Sequence, residues 1–153
     1  MIQKEWPEKE VASTWSQVGD CYEFLGERDM ALRAYQQVFN AQREFKGLRT
    51  TAHLTYAWII AVGRVTQLYE DALQVLDEFA SPIEFPVDKY KSNAVRAMIA
   101  EDRGDTVAAR HYAGIALDGL EKKSSGLRYH PSVGLVRDPD ALVVRRLRSL
   151  AET

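Results

Sequence analysis

Apolar residues return every three or four positions through most of this chain, and glycine, proline or short polar stretches separate the runs. Val11, Trp15, Val18 and Tyr22, with Ala12 and Gly19 beside them, predict a helix over residues 7–25. Pro7 suits the first helical turn, where its missing N–H costs nothing. Gly26 ends this helix, and Glu27–Asp29 turn the chain into a second one from about Met30 to Phe45, with Ala31, Tyr35, Val38 and Phe39 as its inner stripe. Gly19 has no side chain, so the second helix is expected to approach closely there, with Ala31 facing it. Cys21 lies between Gly19 and Tyr22 on this packing helix, which predicts a buried, inert thiol.

Gly47 breaks the pattern, and Thr50 or Thr51 can cap a third helix running to about Val65. Leu54, Tyr56, Ala57, Trp58, Ile59, Ile60, Ala61 and Val62 cover nearly its whole circumference, so it should be packed on both sides. A fourth helix, about Leu68 to Phe79, presents Tyr69, Ala72, Leu73, Leu76 and Phe79. Pro82 and Pro86 then bound an extended link. Helices over Asp88–Arg103 and Thr106–Lys122 follow, with Asp105 as N-cap of the second. Residues 127–137 form a loop around Pro131 and Gly134 that mixes Arg128, Tyr129 and His130 with Leu127, Val133, Leu135 and Val136. It suits either packing against its own protein or contact with a partner. Asp138-Pro139 reads as the start of a last helix, an acid N-cap followed by proline. Val143, Val144, Leu147, Leu150 and Ala151 form one stripe of it, and Arg145, Arg146 and Arg148 the wet remainder.

Three times a glycine or polar residue precedes by five positions an alanine that opens an apolar helix: Gly26 and Ala31, Gln67 and Ala72, Gly104 and Ala109. In the first copy Trp15, Val18, Gly19, Tyr22, Gly26, Ala31 and Tyr35 read W-x2-V-G-x2-Y-x3-G-x4-A-x3-Y. This resembles the helix–turn–helix pattern of a tetratricopeptide repeat. The resemblance covers about residues 12–118 and is carried most fully by the first unit. The units are longer than the roughly 34 residues of the standard repeat, similar to those of bacterial regulator and sensor proteins. It implies an all-α fold, a right-handed superhelix of three hairpins (7–45, 50–79 and 88–122) closed by a capping helix at 138–152, in one domain spanning 1–153.

Charge adds little at first sight, since the net value is −2. Its distribution is uneven: residues 1–80 carry −4, residues 81–120 carry −1 and residues 121–153 carry +3. One cysteine excludes an internal disulfide. The first ten residues are too polar for a signal peptide, and the apolar stretch Leu54–Gly63 is too short to span a bilayer. A cytoplasmic protein with no membrane partner is the expectation.

Candidate chemistry is sparse. His53, His111 and His130 share no helical spacing, so neither a zinc site nor a Cys–His pair with Cys21 is expected. No phosphate-cradling glycine loop or nucleophile elbow occurs. Asp77-Glu78 and Glu101-Asp102 are adjacent carboxylates that point apart on a helix, expected as solvated faces. The reading is therefore a binding module: not an enzyme, without cofactor or metal, and with no nucleic-acid partner. The repeat resemblance implies a protein or peptide ligand held in a concave groove lined by the first helix of each hairpin. By the repeat pattern Ser16, Asp20, Glu23, Leu54, Ala57, Trp58, Ala61, Arg64, Lys91, Ala94, Met98 and Glu101 face it, with Ser16, Asp20, Glu23, Trp58, Arg64, Met98 and Glu101 as the candidate contacts. The alternative is a C-terminal sensor or oligomerisation domain of a larger bacterial regulator, with self-association through the N-terminal repeat.

Overall fold

The structure, a computed structural model, describes residues 6–153. Among these residues it is all-helical, with seven α-helices and no strand: α1 (Trp6–Phe24), α2 (Arg28–Glu44), α3 (Ala52–Val62), α4 (Tyr69–Glu78), α5 (Pro86–Asp102), α6 (Thr106–Glu121) and α7 (Ala141–Glu152). A 3₁₀ turn, Thr66–Leu68, precedes α4. The chain divides into two compact units at Ile59/Ile60, within α3.

In the first unit α1 and α2 pack as a hairpin. Ala12 on α1 and Ala31, Leu32, Ala34, Tyr35, Val38 and Phe39 on α2 are buried. The residue opposite Gly19 is Tyr35 rather than Ala31: a Cβ at Gly19 would lie 2.6 Å from Tyr35 Cε1. The glycine thus makes room for an aromatic ring. Cys21 is exposed, which corrects the expectation of a buried thiol. The start of α3 packs on α2 through an edge-to-face contact of Phe39 and Tyr56, centroids 5.1 Å apart. Gln42, itself buried, ties down the α2–α3 connection: its Nε2 donates to Leu48 O, and its Oε1 accepts from the Thr50 hydroxyl. The Thr50 oxygen in turn accepts from Ala52 N–H, as a helix start requires.

In the second unit α5 and α6 form the central hairpin, and α7 packs on α6 and touches α5. The α6 face turned inward is a stripe of small residues, Ala109, Ala113, Ala116 and Gly119. Against it α5 buries Tyr90, Ala94, Val95, Ala97, Met98 and Ile99. Asp105 caps α6 as expected, accepting from Ala108 N–H at 3.0 Å. Helix α5 starts at Pro86 rather than Asp88; Asp88 instead accepts from Phe85 N–H and closes the first turn. Helix α7 starts at Ala141, and its cap is Asp140, which accepts from the N–H groups of Leu142 and Val143. Asp138 holds a left-handed backbone (φ 45°) and cannot serve as that cap.

One turn geometry recurs three times. Gly26 (φ 75°), Arg64 (φ 51°) and Gly104 (φ 79°) each follow a helix in the left-handed conformation. In each, this residue donates to the carbonyl three back and its successor to the carbonyl five back: to Glu23 and Tyr22, to Ala61 and Ile60, and to Glu101 and Ala100. That is the Schellman stop signal, which favours glycine. The middle copy belongs to Arg64, with Thr66–Leu68 inserted before the next helix. The five-residue spacing read from Gln67 therefore misses the true turn residue.

Candidate peptide-binding surface

On α1, Ser16 is half-buried, while Asp20 and Glu23 are exposed. Asp20 also has work inside the hairpin: the Tyr35 hydroxyl donates to its Oδ1 at 2.6 Å, with Glu23 Oε2 at 3.5 Å. Burial first, then the hydrogen bond to Asp20, hold the Tyr35 phenol well above its ordinary range. Trp58, on α3, is half-buried. Leu54 and Ala57 are enclosed in the core, as are Ala61, Ala94 and Met98 in the second unit, so they offer a ligand almost no surface. Lys91 is half-buried.

The polar residues of the second unit converge where sequence reasoning saw only separate faces. Arg146 on α7 donates to Glu101 Oε2, to Asp102 Oδ1 at 2.9 Å, and to Met98 O at 3.5 Å. Its side chain is only 20% exposed, so it is a buttress between α7 and α5 and not part of a solvated cap face. Glu101 and Asp102 are likewise engaged, not merely solvated, and share one partner despite adjacency. Asp102 also accepts from the Tyr69 hydroxyl at 2.5 Å and has Arg64 at 3.8 Å. Arg64 remains 65% exposed, the freest charge of this group. Two further ion pairs, Arg96–Asp77 and Arg103–Glu70, join α5 to α4. The signal missed in the sequence is charge pairing over 19 to 45 positions, which no local spacing reveals.

The 125–137 loop packs partly against its own protein. Gly134 O accepts from Val87 N–H at 2.7 Å, Gly134 lies against the Phe85 ring, and Leu135 and Val136 are half-buried. Leu127, Tyr129 and Val133 are exposed. Arg128 stacks over Tyr129, 5.5 Å from the ring centroid. Among the described residues no group of three or more His, Cys, Asp and Glu is placed to hold a metal ion, and no helix is long and apolar enough to cross a membrane.

Three tyrosines give this arrangement a pH signature. Tyr69 is pushed up to about 12 by burial, then by its hydrogen bond to Asp102, and Tyr90 to about 12 by burial, then by Asp140. A phenol held above its unfolded value of about 10 keeps a proton that the unfolded chain releases. Its contribution to stability is complete below pH ~10 and falls as pH rises towards 12. In an alkaline titration, phenolate absorbance from Tyr35, Tyr69 and Tyr90 should appear only well above pH 10 and rise together with loss of helical signal. Uniform titration near pH 10, with the helical signal intact, would contradict these environments.

No protein-family model, curated protein or solved structure matches the chain.

Proposed function

We propose that this chain is a protein- or peptide-binding module built from tetratricopeptide-like helical hairpins. The observation that supports this most is the threefold recurrence of the same helix stop, at Gly26, Arg64 and Gly104, each leading within a few residues to a helix with a buried alanine, Ala31, Ala72 and Ala109. Repeated hairpins of this kind expose one helix face per unit for recognition, and extended or helical peptides are their natural ligands. The proposed contacts are Ser16, Asp20 and Glu23 on α1 and, separately, Arg64 and Glu101 in the second unit. The cytoplasm is the proposed location, and neither catalysis nor a cofactor is part of the reading.

Arg64 is the most informative residue to test. A non-glycine residue in the left-handed region costs about 1 kcal/mol or more, and glycine would fit the turn better. Its exposed ion pair with Asp102 returns at most about 1 kcal/mol. Retaining arginine there fits a guanidinium held out for a ligand. Once a partner is captured by pull-down, Ser16→Arg and Arg64→Glu should each weaken binding about tenfold or more, with circular dichroism unchanged. Asp20→Arg is the poorer probe because it also removes the acceptor of Tyr35. Undiminished affinity in both variants would refute the proposed faces.

A further inference from the structure

We propose that the α1–α2 turn of one copy docks on the outer face of α7 of a second copy, joining copies head to tail. The turn carries two consecutive large apolar residues turned to solvent, Phe24 at 92% and Leu25 at 68% exposure. Two exposed carboxylates flank them, Glu23 and Glu27. The turn is rigid: Leu25 N–H donates to Cys21 O, Gly26 N–H to Glu23 O and Glu27 N–H to Tyr22 O, each near 3.0 Å. A preformed apolar knob loses little entropy when it docks.

The complementary surface is on α7. Pro139, Ala141 and Val144 line an open depression with Arg145 and Arg148. Leu142, 72% exposed, adds further apolar surface to this helix. A helix that only closed a stack would keep this side polar. Unlike Arg146, neither Arg145 nor Arg148 forms an ion pair among the described residues. An acidic knob with an apolar tip fits an apolar hollow lined by two arginines, and the chain carries both. The charge balance, −4 over residues 1–80 against +3 over residues 121–153, favours the same pairing between copies. The contact uses two different patches, so it is heterologous: each copy offers one knob and one hollow. Apart from Glu23, which belongs to both, it is independent of the peptide-binding faces proposed above.

Sedimentation velocity of the full chain at low salt tests this. The sedimentation coefficient should rise with protein concentration and fall back when salt is added, because the flanking charges are exposed and screened. Phe24→Ser, and separately the double variant Arg145→Glu with Arg148→Glu, should each weaken self-association at least about tenfold while remaining helical. The decisive result is their mixture. The Phe24→Ser copy retains its α7 face and the double variant retains its turn, so one contact forms and the mixture yields a discrete dimer. Should either variant fail to fold, Leu25→Ser or Leu142→Ser replaces it with the same readout. A parent that stays monomeric at low salt, variants that associate like the parent, or a mixture without dimer would each overturn the proposal.

Discussion

Gly119→Ala is expected to destabilise the chain by about 1–2 kcal/mol, while Gly114→Ala on the same helix is expected to stabilise it by about 0.5–1 kcal/mol. Both substitutions remove the entropic penalty of glycine inside a helix, so propensity alone predicts the same gain twice. Packing separates them. A Cβ at Gly114 would meet nothing within 4 Å. At Gly119 it would lie 2.9 Å from both Pro86 O and Tyr90 N, and 3.3 Å from Lys89 Cβ. Those first two neighbours are backbone atoms in the opening turns of α5, which cannot rotate aside as a side chain can. The helix as a whole would have to retreat from the small-residue face of α6, loosening contacts along Tyr90, Ala94 and Ala97. At this chain length each kcal/mol is about 2–4 °C in thermal midpoint, so the two alanine variants should shift in opposite directions. Two variants that both gain stability would show that α5 does not lie on α6 at Gly119.

The same comparison shows what local sequence can and cannot convey. Gly19 is legible as a notch because glycine amid Val18, Tyr22 and Ala12 has no reason to interrupt a helix except to admit something. What enters is not legible: Ala31 and Tyr35 lie one turn apart on the same face of α2, and periodicity cannot choose between them. Cys21 was open to better reading, since two positions along a helix rotate a side chain by about 200° away from Gly19. Its exposure follows from that rotation. The start of α3 and the cap at Asp105 follow from local chemistry and agree closely with the structure, whereas α3 ends at Val62, three residues before the expected Val65. The last helix misleads because Asp138-Pro139 and Asp140 are both acids near its start, and only the backbone at Asp138 decides between them. The second turn is hidden for a different reason: a strained arginine stands where glycine is expected. Arg146 with Glu101 and Asp102 is hidden by distance along the chain. The candidate surface suffered most, because buried Ala94 and Met98 satisfy a repeat pattern whether they face a ligand or the core.

Leu147→Ala should be the most damaging single change in α7, lowering stability by about 2–5 kcal/mol in urea denaturation. Leu147 is fully buried and Val143 nearly so, and together they are the apolar side by which α7 covers α6 and α5. Truncating Leu147 removes its transfer free energy and leaves a cavity that two rigid helices cannot close. The rival anchor is Arg146, with three acceptors on α5. Exposed ion pairs contribute at most about 1 kcal/mol, and breaking fully buried ones costs about 3–5 kcal/mol. Arg146 lies between these limits: its own side chain is 20% exposed, but Glu101 at 38% regains water once the guanidinium is gone. Asp102 keeps Tyr69 and Arg64. Arg146→Met also preserves most of the buried aliphatic stem. That variant should therefore cost about 1–2 kcal/mol, clearly less than Leu147→Ala. If the order were reversed, α7 would be held chiefly by charge, and its docking would weaken with added salt. On the packing seen here the apolar side dominates, and the arginine fixes which way α7 lies against α5.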